Sequence, residues 1–395
     1  MRPIVFFTAL LSSSLGLVSS LEAKQSLVQP PLGFPRVERI PFRPEWVSVV
    51  KNKNLFQYKR QEFSSPRILG DRIYCGSNGG VFYAMEKKNG HKVWRYKSSG
   101  SVNSVPAFGG DKVFFGDDKG FLYALTSEGG KEVWKTELGS EIVAAPAFVG
   151  NRLFVSTIEG KIAAVSAEDG HVLWEKDYPV EGLQLTIGGN APPVADASGN
   201  RIFVGFADGM LRSLSAENGK VLWEKSFLSP GKQSDIMRTG LFNDIDGAPV
   251  LDGDRLYFAT FDGNVYVVSA SQGQTIWNLD IGSGVRILLN GDVLYVSGTD
   301  GKLYALKKAN GLKLWETKMG EGALTAPVMF GDVLAVGLSS KTMNFIRPED
   351  GHRIIRRFAK KGVFSDPIVD EDRLYYLSNG GRLYSLKFLP KKRSH

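Results

Sequence analysis

A glycine followed four residues later by a tryptophan occurs six times in this 395-residue chain: Gly90/Trp94, Gly130/Trp134, Gly170/Trp174, Gly219/Trp223, Gly273/Trp277 and Gly311/Trp315. A seventh unit keeps its glycine, Gly351, and carries Ile355 in place of the ring. Successive glycines stand 40, 40, 49, 54, 38 and 40 residues apart. A second marker runs in step with the first, at Asp71, Asp111, Asn151, Asn200, Asp254, Asp292, Asp332 and Asp372. Two markers in register define an internal repeat, and a period near 40 residues confines the chain to an array of like supersecondary units.

Within a unit the texture is that of four strands, as in Ala145–Phe148, Arg152–Ser156, Lys161–Val165 and His171–Glu175. The joints are Gly-Asp, Asp-Gly, Gly-Gly or Asn-Gly, residues that accept the positive φ of tight hairpins. Four strands in about 40 residues is the signature of a propeller blade. The predicted fold class is therefore all-β, an eight-bladed β-propeller of four-stranded blades. Composition agrees where it bears on this: 45 glycines supply the turns, and 43% hydrophobic residues against 23% charged exclude a disordered chain. A single cysteine, Cys75, excludes a disulfide scaffold and any Cys-rich metal site.

The ends indicate how the ring closes. The last unit, from Ser365 to Leu386, has only three strands before the sequence ends. In regular units the tryptophan stands 12 residues before the proline of the next blade, as in Trp94 to Pro106 and Trp315 to Pro327. Counting back from Pro66 reaches Asn54, beside Leu55-Phe-Gln-Tyr58, which is the expected fourth strand of the last blade. Closure by a strand from the other terminus removes two exposed sheet edges at once. The expected domains are a signal peptide at 1–23, an extended leader at 24–53, the propeller at 54–389 and a basic tail at 390–395. Met1-Arg2 followed by an apolar run from Ile4 to Val18 and small residues near Ser20 and Ala23 supports a secretory signal, with an uncleaved anchor as the alternative.

Two connections break the regularity. Trp174 to Pro192 spans 18 residues and Trp223 to Pro249 spans 26. Both join the fourth strand of one blade to the first of the next, so Asp177–Asn190 and Phe227–Asp246 are expected to leave from one face beside blade four. Leu183 and Leu185 alternate with Ile187 in the first, and Asp244, Asp246 and Arg238 stand in the second. Apolar side chains rimmed by charge suit a protein-binding site.

Catalytic constellations are not apparent. His91, His171 and His352 follow the turn glycines of three different blades and are separated around the ring. No phosphate-binding glycine motif occurs, and the recurrent aspartates are turn formers by position. No cofactor, metal or nucleic-acid partner is expected. The tryptophans at 94, 134, 174, 223, 277 and 315 are expected to pack between blades. The basic run Arg353–Lys361 and the tail Lys391–Arg393 read as solvated faces, with contact to anionic lipid as the alternative; the net charge of +8 is moderate.

Tyr123-Ala-Leu-Thr-Ser-Glu-Gly-Gly-Lys-Glu-Val-Trp134 and Tyr304-Ala-Leu-Lys-Lys-Ala-Asn-Gly-Leu-Lys-Leu-Trp315 resemble the signature of PQQ-like propeller repeats. Within that superfamily the eight-blade layout, the secretion signal and the two enlarged connections resemble the BamB family, propeller scaffolds of the outer-membrane β-barrel assembly (BAM) machine. The resemblance implies a non-enzymatic periplasmic protein at the inner face of the outer membrane. Its implied partners are the POTRA domains of BamA, the BAM complex and nascent outer-membrane β-barrel proteins. It also implies partner-binding roles for Leu183, Leu185 and Thr186, which match a Leu-x-Leu-Arg stretch, and for Asp244 and Asp246, which match an Asp-x-Asp stretch. Thr186 departs from the family arginine, and Arg238 is the candidate replacement. The signal region also lacks the cysteine that lipidates many family members, so membrane association is expected without a lipid anchor. Two other readings stand beside this one: a PQQ-dependent dehydrogenase, and a secreted propeller that binds another protein or a glycan.

Overall fold

The computed structural model describes residues 41–50, 64–178, 190–227, 244–261 and 263–389. Among these, the strands form eight antiparallel sheets of four. Seven are consecutive in sequence. Blade one runs from Arg67 to Lys97, blade two from Ala107 to Glu137, blade three from Ala147 to Asp177 and blade four from Val194 to Ser226. Blade five runs from Val250 to Leu279, blade six from Leu288 to Lys318 and blade seven from Val328 to Phe358.

Blade eight takes Ile368–Asp370, Arg373–Ser378 and Arg382–Phe388 from the C-terminal part of the chain and Phe42–Val49 from the N-terminal part. Phe42 pairs with Phe388 and Val49 with Arg382 along this seam. The ring thus closes by an N-terminal strand, but not the expected one: residues 42–49 fill the place assigned to 55–58, which lie outside the described residues. The 12-residue spacing fails here because the connection from Trp46 to Pro66 is 20 residues long. The propeller consequently begins before residue 54, inside the stretch assigned to a leader.

The core is a stack of inter-blade layers. Eight buried clusters each draw on two neighbouring blades, from Phe82 with Phe115 between blades one and two to Tyr375 with Met85 between blades eight and one. The middle strands are therefore sealed on both faces and read as unbroken apolar runs, such as Leu122–Leu125 and Leu303–Leu306.

The fourth strand is half-exposed, and a bulge aims its tryptophan. Ala84 pairs with Trp94 while Met85 pairs with Lys92, leaving Val93 as the extra residue. The same slip recurs between Ala124 and Leu125, Ala164 and Val165, and Ala305 and Leu306. An extra residue bends the strand locally, turning each indole onto the next blade. Trp94 donates its ring N–H to the Ser127 carbonyl at 3.0 Å, Trp134 to Ala167 at 3.2 Å and Trp315 to Pro348 at 2.8 Å. Each of the six indoles lies against the turn glycine of the following blade, and Trp46 is a seventh, donating to the Lys87 carbonyl at 3.2 Å.

Candidate partner-binding face

In a four-stranded antiparallel blade, the connections from second to third strand and from fourth strand to the next blade leave from one face. The described ends of the two enlarged connections, Tyr178 and Asn190 for one and Phe227 and Asp244 for the other, therefore lie on the same side of the ring, flanking blade four. Leu183, Leu185, Thr186 and Arg238 lie in these connections, outside the described residues. The feet of both connections are described, and each is clamped.

Tyr178 and Asn190 hold the first. The Tyr178 backbone N–H donates to the Gly160 carbonyl at 3.0 Å, and its ring meets Phe206 edge-on with centroids 5.2 Å apart. Asn190 is buried; its side-chain amide donates to the Thr157 carbonyl at 2.7 Å and its Oδ1 accepts from the Ala207 N–H at 3.1 Å. One residue thus ties blade three to blade four. Phe227 opens the second connection, buried between Phe258 and Tyr266 with centroids 4.9 Å from each. Ile245 closes it, fully buried, with its N–H donating to the Phe206 carbonyl at 3.1 Å. Gly205 makes room for it: a Cβ there would fall 2.3 Å from the Ile245 side chain.

Burying Ile245 draws in the carboxylates on either side. Asp244 is buried and its carbonyl accepts from the Phe261 N–H at 2.9 Å. Asp246 is half-buried, yet its Oδ1 is sealed from solvent without a hydrogen-bond partner. Burial first, and the charge of Asp244 second, hold the Asp246 carboxyl well above the usual carboxylate range. The two aspartates are therefore part of the foundation of the face, whereas an exposed rim was expected of them.

Arg212 is the residue that sequence reasoning missed. It lies on the third strand of blade four (Met210–Ser215), below the first connection, and is 8% exposed. Its guanidinium is 4.5 Å from the ring centres of both Tyr178 and Phe206. Nε donates to Glu224 at 3.0 Å, and Nη2 stands 3.6 Å from Asp208. Nη1 is sealed without a partner. The signal was available: other third strands carry Tyr83, Tyr123, Ala163 or Tyr304 at this register, and only blade four places a charge there. A cation stacked on both rings holds Tyr178, the foot of the first connection, against blade four.

Among the described residues no group of three His, Cys, Asp or Glu side chains could hold a metal ion. His91, His171 and His352 sit at outer turns of blades one, three and seven, where their backbone N–H groups are bound by Asn89, Asp169 and Asp350.

Comparison with known proteins adds the family. A family model described as "Outer membrane protein assembly factor BamB" matches residues 77–317 and 300–389. The protein of that name from Legionella pneumophila (strain Paris) is 30% identical over 144 residues, covering 36% of this chain and 38% of the relative. Its counterpart from Yersinia pestis is 25% identical over 145 residues, covering 36% and 37%. These matches span less than two fifths of the relatives' length. The crystal structure of BamB from Moraxella catarrhalis superposes with a TM-score of 0.77 at 23% identity, over 88% of this chain and 100% of that one. A quinohemoprotein alcohol dehydrogenase from Comamonas testosteroni superposes at 0.66 with 15% identity, over 88% and 78%; it shares the fold.

Proposed function

Because this chain belongs to the BamB family of outer membrane protein assembly factors, we propose that it is a non-catalytic scaffold of that assembly system. In this reading it works at the periplasmic side of the outer membrane and binds the POTRA domains of BamA. Leu183 and Leu185 are the apolar anchors, and Arg238 stands in for the charge that Thr186 lacks. Asp244 and Asp246 support the loop that presents Arg238.

The observation that carries the proposal is the pair of clamped feet around blade four. Connections of irregular length are inserted at two neighbouring blade junctions on one face, and each is anchored by buried residues: Tyr178, Asn190 and Arg212 for one, Phe227 and Ile245 for the other. Buried anchors at both ends of a connection lower the ordering cost of docking through it. The dehydrogenase reading has the shared fold in its favour and no described metal array.

Affinity purification of the tagged protein from detergent-solubilised envelope tests the proposal. Enrichment of a POTRA-bearing barrel protein is the expected result. Recovery without such a partner, or a quinone spectrum with alcohol or sugar oxidation after incubation with PQQ and calcium, would contradict it.

A further inference from the structure

Charge is divided unevenly around the ring. Blades seven, eight and one (residues 327–389, 41–50 and 64–105) carry 18 Lys and Arg against 10 Asp and Glu, a net of +8. The described residues of blades two to five (106–286) carry 13 against 21, a net of −8. The molecule therefore has a basic side and an acidic side, and the loop-bearing blade four belongs to the acidic one.

Within the basic side, one face concentrates the cations. Lys341 lies in the turn between the second and third strands of blade seven, Lys360 in the connection from blade seven to blade eight, and Arg382 at the start of the third strand of blade eight. All three leave from the face that carries the enlarged connections. They are contiguous through the backbone: Ala359 N–H donates to the Lys341 carbonyl at 2.7 Å, Gly380 N–H to the Lys360 carbonyl at 3.1 Å, and Arg382 pairs with Val49. All three side chains are exposed, and none forms an ion pair among the described residues.

Beside them the fourth strand of blade seven (Arg353–Phe358) departs from the pattern of its neighbours. It has no tryptophan and no carboxylate, whereas those of blades two, three, four and six hold Glu132, Glu175, Glu224 and Glu316. Arg356 and Phe358 alternate onto its outward side, and Phe358 is 68% exposed, the largest exposure of any large apolar side chain described. Five carboxylates of these blades, Asp332, Glu349, Asp350, Glu371 and Asp372, lie in or beside the turns of the opposite face, and Asp366, in the connection that carries Lys360, accepts from the Ala326 N–H at 2.8 Å.

We infer that this corner of blades seven and eight is a membrane-docking surface that recognises anionic lipid headgroups. Lys341, Arg356, Lys360 and Arg382 form the electrostatic footprint, and Phe358 enters the interface between headgroups and acyl chains. Charge complementarity identifies the occupant: clustered unpaired cations are attracted to a negative bilayer surface, and an exposed aromatic ring among them favours an interface over a fully hydrated polyanion. Blade eight is across the ring from blade four, so the contact is centred away from the acidic blades. The inference is independent of the identity of the protein partner.

Flotation with phosphatidylcholine vesicles, with and without phosphatidylglycerol, tests it. Wild-type protein is expected to float with the anionic vesicles, to stay behind with neutral ones, and to detach largely in high salt. The variant Lys341→Glu, Lys360→Glu, Arg382→Glu should bind anionic vesicles at least about tenfold less. Phe358→Ser should lose the salt-resistant fraction. A control with the same charge change on the opposite face, Lys88→Glu, Lys131→Glu, Lys220→Glu, should bind as wild type does. Equal loss in the control, or full binding by the first triple variant with native circular dichroism, would overturn the assignment.

Discussion

Trp46 packs so closely on Gly90 that a Cβ at the glycine would fall 2.5 Å from the indole Cε3. The two residues belong to different blades, eight and one, and the contact joins the strand that closes the ring to the first hairpin of the array. The same pairing repeats around the propeller as Trp94 with Gly130, Trp134 with Gly170, Trp174 with Gly219, Trp223 with Gly273, Trp277 with Gly311 and Trp315 with Gly351. Each tryptophan thus answers the glycine of the following blade. Blade seven has Ile355 in this place because the blade after it has no such hairpin: its third and fourth strands come from opposite ends of the chain.

Gly130 combines a φ of +65° with a Cβ position 2.4 Å from Trp94, while Gly110 has a φ of +60° and open space around it. Gly130→Ala should lower the unfolding free energy by about 3 kcal/mol, from left-handed strain and overpacking together, and Gly110→Ala by about 1 kcal/mol, from strain alone. Urea-unfolding midpoints of the two variants give the comparison. Equal shifts would contradict the contact.

The indole N–H of Trp134 is satisfied by Ala167, whereas that of Trp277 is sealed without an acceptor. Trp134→Phe should therefore cost about 1 kcal/mol more than Trp277→Phe, since the first change breaks a hydrogen bond and the second relieves an unpaired donor. Thermal denaturation of both variants beside wild type reads the difference.

Asp246 has a folded-state value well above its ordinary 3.8. The folded protein therefore holds this proton more tightly than the unfolded chain does, and stability falls as pH rises from the ordinary value through the raised one. Above that window the charged form is a standing cost. Asp246→Asn should raise the unfolding midpoint at neutral pH and flatten the pH dependence over that window. Chemical denaturation at a series of pH values would show an unchanged slope if the carboxyl were well solvated.

Arg212→Met keeps much of the stem that packs near Tyr178 and Phe206 and loses the contacts to Glu224 and Asp208. Glu224 is half-exposed, so the stability loss should stay near 1–2 kcal/mol. Partner binding should fall several-fold, because Tyr178, the foot of the first connection, loses the cation stacked on its ring. Measuring melting temperature and partner affinity on the same samples separates the two effects; unaltered affinity would remove Arg212 from the site.

The blades were legible because each repeats the same physical solution: a positive-φ glycine at one turn and a ring at one strand position. Ring closure was only partly legible. Trp46 has no glycine four residues before it, since its hairpin partner is at the other end of the chain, and the longer connection to Pro66 defeated a count based on regular junctions. The enlarged connections announced themselves through spacing. The burial of Asp244 and Asp246 did not, because an acidic stretch in a connection reads as solvated until Ile245 is seen to be latched against Gly205 and Phe206.

In the function proposed above, the face beside blade four binds POTRA domains through Leu183 and Leu185. Isothermal titration of purified POTRA domains with wild-type protein and with the Leu183→Arg, Leu185→Arg variant tests it most directly. Saturable binding by wild type and at least about a hundredfold weaker binding by the variant, consistent with loss of two apolar anchors, is the predicted result. Equal affinity for a variant with native circular dichroism, or no binding by wild type, would contradict it.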